Sequence, residues 1–229
     1  MPLHYIVFTL KCDTEKKHIH FSSQTVRFPM SKIFYISDMH FGMRSAIKHD
    51  IDNAMRYDQQ ADSTYPFVST DERDAGMIER WNARVSESDF VYVLGDIGPQ
   101  KFNDMRKLME RLNGRKSIVR GNHDKSWISD LTSYPPCNVL KVCDYDCIVD
   151  RNRNVVLCHY PIFSWDKQRR GSYHVYGHVH NTIEDDIFQE MGRKLCNEEA
   201  QQFRAMNAGA MVNDFEPKTL DELIEKYRL

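Results

Sequence analysis

Short apolar runs alternate with segments of helical spacing through the middle of the chain. Residues 33–36 and 90–94 are β-branched and aromatic runs of strand length, and a polar loop follows each. Between them, residues 69–85 carry apolar side chains at helical spacing behind a Ser-x-x-Glu capping box. A second helix is predicted over 105–112 and a third strand over 117–120. This β-α-β-α-β order predicts parallel strands with helical crossovers.

The second half of the chain has a different pattern. Residues 147–149 and 155–158 are strand-like runs on either side of a polar turn, which predicts an antiparallel hairpin. Another strand is predicted over residues 173–176. A final helix begins at Thr219, where Glu222 completes a second capping box. The chain is therefore expected to belong to the α/β class and to contain more than one kind of sheet connection.

The length of 229 residues fits one core, and no repeat, linker or low-complexity segment divides it. We expect a single domain over residues 30–229. Residues 1–29 are interpreted as an N-terminal extension or an extra strand pair. The apolar run at residues 5–10 is too short for a membrane span and lacks the flanks of a targeting segment.

Composition narrows the class of protein. Hydrophobic residues make up 41% and charged residues 28%, which is typical of a soluble globular protein. The 31 basic and 33 acidic residues leave a net charge of −2, so polymeric nucleic acid is not an expected partner. The six cysteines form no Cys-x-x-Cys pair, which favours reduced thiols and a cytoplasmic location. Because the apolar run is too short for a span, no membrane attachment is expected. The oligomeric state is left open.

Candidate metal ligands follow five of the six predicted strands. In chain order, the loops read Asp38-x-His40, Gly95-Asp96, Gly121-Asn122-His123-Asp124, His159 and Gly177-His178-Val179-His180. Ligands of open α/β sheets bind beyond the carboxyl ends of the strands, so we expect these side chains to converge. Any one of these histidines taken alone is better explained by a turn or a surface hydrogen bond. The complete set in this order predicts a metal centre.

This ordered set resembles the calcineurin-like metallophosphoesterase superfamily, over residues 31–229. Within the superfamily, Asp38-Met39-His40-Phe41-Gly42 is similar to the small bacterial and phage members. The resemblance implies a four-layer α/β/β/α sandwich of two mixed β-sheets flanked by helices. It also implies a metal-dependent hydrolase of phosphate esters, a phosphodiesterase or a phosphatase.

The resemblance further implies a role for each candidate residue. One metal would be bound by Asp38, His40 and His180, the other by Asn122, His159 and His178, with Asp96 bridging both. His123 would be the general acid, and Asp124 is a candidate for orienting it. Imidazole together with carboxylate and amide oxygens suits transition metals, so we expect two divalent ions, manganese first, with iron, zinc or nickel as alternatives.

The ligand charges suit phosphate chemistry. Two divalent ions, two aspartates and one bridging hydroxide would leave roughly one positive charge to attract a phosphate. The expected reaction is attack by the metal-bridging hydroxide, with His123 protonating the leaving group. A phosphodiester of a small nucleotide or similar molecule is the expected substrate. A phosphomonoesterase and a non-catalytic scaffold of the same fold are the alternatives.

Several further features lie outside the expected metal centre. Gly98-Pro99 does not match the residues that protein phosphatases have after their Gly-Asp pair, and Met43 stands where many small relatives have a histidine. The long polar segment at 43–70 is a candidate lid or rim over the site. His49 and His174 lie outside the ligand set, and surface or packing roles are expected for them.

Overall fold

The computed structural model describes residues 4–13, 18–27, 31–55, 65–198 and 202–229, with backbone only for the first two ranges and for 197–198. The chain forms two compact units, Met1–Ser31 and Lys32–Leu229. In the first unit, β1 (His4–Asp13) pairs with β2 (His18–Arg27) in antiparallel register. The apolar run at residues 5–10 lies within β1. The division into an extension over 1–29 and a domain over 30–229 stays a prediction.

The second unit contains two mixed sheets. The first consists of β3 (Ile33–Ile36), β4 (Phe90–Val93), β5 (Arg115–Val119), β6 (Val139–Cys143) and β11 (Lys218–Thr219). Its order is β11-β3-β4-β5-β6, and all pairs are parallel except that of β11 with β3. The predicted parallel core with helical crossovers is therefore correct.

The second sheet consists of β7 (Tyr145–Asp150), β8 (Arg153–Cys158), β9 (Tyr173–Tyr176) and β10 (Ala205–Asn207). Its order is β10-β9-β8-β7. The hairpin β7–β8 is antiparallel, as its pattern predicted, while β9 runs parallel to both β8 and β10.

Five α-helices are described: α1 (Ala46–Ala54), α2 (Thr70–Arg84), α3 (Phe102–Arg111), α4 (Ile183–Glu198) and α5 (Leu220–Tyr227). The side chain of Ser69 accepts a hydrogen bond from the backbone of Glu72 at the start of α2. Thr219 and Glu222 form the complete capping box of α5. Both predicted helix starts are thus correct, because the caps satisfy backbone N–H groups that have no partner within the helix.

Side chains alternate between the two faces of each strand and build two cores around the first sheet. Val91 and Val93 of β4 pack with Met77 and Trp81 of α2 on the outer face. Neighbouring strand residues face inward, where one cluster joins both sheets; its buried members are Tyr35, Leu94, Val119, Val155, Leu157, Val175, Met206, Ala208, Leu220 and Leu223. A third cluster places Phe188 of α4 against the far face of the second sheet. These layers form the predicted four-layer α/β/β/α sandwich.

Several smaller expectations have an outcome in this fold. His174 is fully buried on β9, where its ring hydrogen-bonds the backbone of Val156 and Ile162, so its role is packing. Among the cysteines whose side chains the structure describes, Cys137, Cys143, Cys147 and Cys158 are free thiols. In the part of the chain that the structure describes, every helix is too short or too polar to serve as a membrane span.

Candidate metal centre

The two sheets bring their strand-end loops to one place. Asp38 and His40 follow β3, Asp96 follows β4, and Asn122 and His123 follow β5. His159, His178 and His180 follow β8 and β9 of the second sheet. Because these strands run in the same direction within each sheet, their carboxyl ends share an edge. All eight predicted site residues therefore lie around one centre.

Left-handed backbone recurs in these loops. The residues with positive φ include Asp38 (54°), His40 (46°), Asp96 (52°), His178 (71°) and His180 (49°). Such a conformation costs a residue other than glycine roughly 1–2 kcal/mol. It aims consecutive side chains at a common point, which an extended loop would not do. Strain of this kind accumulates at functional sites.

Two glycines allow the loops to approach closely. A Cβ atom on Gly177 would lie 1.9 Å from Ser37 Oγ and 2.5 Å from Asp38 Oδ2. One on Gly121 would lie 2.2 Å from Asp96 Oδ1. Each position has room only for hydrogen, because real Cβ atoms stay beyond 3.0 Å of such neighbours.

The first group of donors consists of Asp38, His40 and His180. Their ligand atoms lie within 4.8 Å of one another. The Nε2 atoms of His40 and His180 are 3.3 Å apart on nearly parallel rings. Burial lowers the pKa of His40 to about 3 and also lowers that of His180. Both imidazoles are therefore neutral at pH 7, the form that donates a lone pair to a metal.

The second group consists of Asn122, His159 and His178. Asn122 Oδ1 lies 2.9 Å from His178 Nδ1 and 3.1 Å from His159 Nε2. The other ring nitrogen of His159, Nδ1, donates to the Leu94 carbonyl at 2.7 Å. This bond fixes the tautomer, so Nε2 carries the lone pair and faces the centre.

Asp96 lies between the two groups. Its Oδ2 atom is 3.8 Å from His40 Nε2 and 3.6 Å from His159 Nε2. Its Oδ1 atom accepts a hydrogen bond from the backbone of His123 at 2.9 Å, which holds the carboxylate in place. One carboxylate thus faces a histidine from each sheet.

The buried charge at the centre fits cations. Asp38 and Asp96 are each 2% exposed. Burial raises the pKa of Asp38 to about 7, and the like charge of Asp96 adds to the effect. Buried carboxylates are stabilised when metal ions neutralise them. The donor types, O and N together, suit transition metals.

His123 lies at the border of the centre. Its ring is exposed and meets the His40 ring edge-on, with centroids 5.5 Å apart. Asp124 does something other than orient it: the Asp124 carboxylate accepts hydrogen bonds from the backbone of Asp96, Ile97 and Gly121. It braces the loops after β4 and β5, because adjacent side chains of a tight loop point in different directions.

Two supporting residues were not found by sequence reasoning. Arg73 of α2 is fully buried and donates to the Met39 carbonyl at 2.7 Å and to Asp50 Oδ2 at 3.1 Å. The buried Asn207 donates to the His180 carbonyl at 2.6 Å. Each braces, through a backbone carbonyl, a loop that carries candidate metal ligands. Neither belongs to a recognisable motif, so no local signal pointed to them.

Two hollows adjoin the centre. A cleft of about 600 Å³ is lined by His40 and His123 together with residues of α2 and α3. A smaller cavity of about 260 Å³ lies between the histidines and α1, where its lining includes His49. The segment 43–70 therefore does contribute to the rim through α1, while its residues 56–64 lie outside the described part. His49, expected to be a surface residue, is exposed and lines this cavity.

Several known proteins are similar to this chain in sequence or in fold. An uncharacterised protein of Methanocaldococcus jannaschii is 29% identical over 203 residues, covering 86% of this chain and 93% of the relative. The gene 66 protein of Mycobacterium phage D29 is 26% identical over 178 residues, covering 67% and 81%. A crystal structure of an Aquifex aeolicus protein of unknown function has the same fold, with a TM-score of 0.54 and 21% identity over 86% of this chain and 100% of the other.

A family model is more informative than these relatives. The model of the calcineurin-like phosphoesterase superfamily domain matches residues 31–220. That range contains all of the strand-end loops described above. The chain belongs to the calcineurin-like phosphoesterase superfamily.

Proposed function

We propose that this chain is a dinuclear metal-dependent phosphoesterase acting on a phosphodiester of a small nucleotide or similar molecule. Its family supports metal-dependent hydrolysis of a phosphate ester. The observation that carries the finer proposal is the position of Asp96 Oδ2, within 4 Å of a histidine from each donor group. A carboxylate shared by two groups suits a pair of metals better than a single ion.

The donor groups assign the ligands. One divalent ion would be held by Asp38, His40 and His180. The other would be held by Asn122, His159 and His178, and Asp96 would be a ligand of both. Manganese is the first expected occupant, with iron, zinc and nickel as alternatives. When bound, such a pair lowers the pKa of a water so that a hydroxide nucleophile exists near neutral pH, and it binds the phosphate oxygens.

His123 would protonate the leaving oxygen. Its ring is exposed beside His40, so a substrate bound at the centre has access to it. Its backbone N–H donates to Asp96, which fixes the position of the residue relative to the donor groups. General-acid assistance of this kind contributes typically about 10²–10⁴ in rate.

The size of the adjoining cleft favours a small substrate. Its volume of about 600 Å³ is in the range of small-molecule sites. Binding of a polymeric nucleic acid is favoured by a positive net charge, whereas this chain has a net charge of −2. A phosphomonoester remains the alternative substrate class.

The direct test is a substrate screen of the purified protein with Mn²⁺ and with the other metals. Bis-p-nitrophenyl phosphate, p-nitrophenyl phosphate and cyclic nucleotides are the substrates, and elemental analysis gives the metal content. We expect about two ions per chain and faster turnover of the diesters. A fully metallated protein that hydrolyses none of these esters would refute the proposal.

Asp96→Asn tests the shared ligand. The amide keeps the shape but removes the negative charge, so hydrolysis of the aryl diester should fall by more than about 100-fold, since metal ligation and charge neutralisation are lost together. Metal content should also fall. Wild-type turnover in this variant would contradict the shared role.

His123→Ala tests the acid. We expect unchanged metal content and slower turnover, with a smaller loss for p-nitrophenyl esters, whose leaving group needs no proton, than for alkyl esters. Equal losses for good and poor leaving groups would argue against proton donation.

A further inference from the structure

One face of α3 lies along the cleft next to the metal centre. Lys101, Asp104, Lys107 and Arg111 all contribute to its lining, at the three- to four-residue spacing that places side chains on one side of a helix. From Lys101 to Arg111 the helix rises about 15 Å at 1.5 Å per residue. The cleft is therefore long enough for a group larger than a single phosphate.

The cations on this face are available to a ligand. Lys101, Lys107 and Arg111 are exposed, and within the described chain none makes a side-chain hydrogen bond or ion pair to another residue. The lining also holds two acids, Asp74 and Asp104. The first is already engaged by the Gly42 backbone at 2.7 Å and lies 3.9 Å from Arg73 Nη1. A hydrogen bond does not remove the charge of a carboxylate, so the lining has three cations against two acids, and the balance is positive by one charge.

The other walls are apolar. The cleft is also lined by Phe41, Met43, Ile78, Pro99 and Leu108. An apolar surface next to a cationic edge suits a ligand with a flat, weakly hydrated part and an anionic part. A nucleoside phosphate has both parts.

We propose that this cleft binds the leaving group of the substrate, and that this leaving group is a nucleoside carrying a phosphate of its own. The inference rests on the proposed function and adds the class of the leaving group to it. His123, the proposed proton donor, lines the same cleft, so the departing oxygen faces it. The new P–O bond forms to the hydroxide oxygen, the bond to the leaving oxygen breaks, and that oxygen takes a proton from His123. The second phosphate lies along α3, against Lys107 and Arg111.

Binding to metal-free protein tests the subsite apart from catalysis. The probes are adenosine 5′-monophosphate, inorganic phosphate and adenosine, titrated by calorimetry into chelator-treated protein whose fold is verified by circular dichroism. We expect the monophosphate to bind most tightly of the three probes. Its affinity should fall as the salt concentration is raised. The double variant Lys107→Gln with Arg111→Gln should weaken it about tenfold or more, since charge-assisted hydrogen bonds are lost. Lys194→Gln, which removes a similar helix-surface charge paired with Glu190, is the control and should bind as the wild type does.

Kinetics with metal restored test the same residues in the reaction. Two values of kcat/KM are compared, one for a diester with a phosphorylated nucleoside leaving group and one for bis-p-nitrophenyl phosphate. In the double variant the ratio of the first to the second should fall about tenfold, mainly through a higher KM for the first substrate. An unchanged ratio, or equal affinity of wild type and double variant for the monophosphate, would overturn the inference. If the wild type hydrolyses none of these esters, the proposed function is refuted. The titration of metal-free protein would still show whether the subsite binds the monophosphate.

Discussion

Gly121→Ala is the sharpest test of the way the loops meet. Gly121 follows β5 and lies against the Asp96 loop, and its backbone is not in the left-handed region, so alanine adds only a methyl group. That methyl carbon would lie 2.2 Å from Asp96 Oδ1 and 2.6 Å from the Asp96 backbone nitrogen. Ordinary contacts begin near 3.4 Å. Asp96 must therefore move by about 1 Å, out of its position between His40 and His159.

The cost has two parts. Overpacking of this size typically destabilises a protein by about 1–3 kcal/mol, which for a chain of this length lowers the melting temperature by about 2–12 °C. The displaced carboxylate should also weaken metal binding. A protein that gains about 2.7 kcal/mol from metal at 100 times its Kd loses most of that gain if Kd rises 100-fold.

The assay is thermal unfolding with chelator and with saturating Mn²⁺, for wild type and variant. Gly42→Ala is the matched control, because its φ of 75° costs about 1–2 kcal/mol but nothing lies within 4 Å of the added carbon. We expect both variants to be less stable and only Gly121→Ala to lose the metal-induced rise. A full rise in Gly121→Ala would refute the close approach described here.

Three further outcomes follow from buried charge. Removal of bound metal by a chelator at pH 7 should lower the melting temperature, since the Asp38 and Asp96 carboxylates then lack a cation; an unchanged melting temperature would count against metal at this place. Arg73→Ala should cost about 3–5 kcal/mol in urea unfolding, because it leaves the Asp50 carboxylate buried and unpaired. Arg73→Lys should lose less, and equal losses would contradict a role for the charge. Burial lowers the pKa of His174 to about 4, so between pH 6.5 and 4 the unfolded chain binds a proton that the folded chain does not. The free energy of unfolding therefore falls as pH falls, and His174→Gln should flatten that slope by at most about 1.4 kcal/mol per pH unit, whereas an unchanged slope would exclude the contribution.

Patterns in the sequence were sufficient where local chemistry decides the structure. The strand at residues 33–36 and the caps at Ser69 and Thr219 lie where they were predicted. A buried strand needs an uninterrupted apolar run, and a helix start needs an acceptor for its free N–H groups. Both requirements are visible within a few residues.

Elements were missed where the apolar pattern does not mark the buried face. The helix α4 exposes Ile183, Ile187, Met191 and Leu195, each at least 44% accessible, while Phe188 packs inward. The edge strand β6 alternates poorly because Leu140 and Lys141 are both exposed. Short strands such as Ala205–Asn207 carry too few residues for any period to show.

The identity of the donors is written in the sequence, since aspartate, histidine and asparagine at strand ends are the chemistry that metals require, and their order is typical of one superfamily. Their distances are not, because His40 and His180 are 140 residues apart and meet only when the second sheet packs on the first. The same packing places Asp96 between a histidine of each sheet. It also brings Arg73 and Asn207 within hydrogen-bond distance of the loops. The type of a side chain is a local property of the sequence. The position of one carboxylate between two groups of donors depends on the packing of the two sheets against each other.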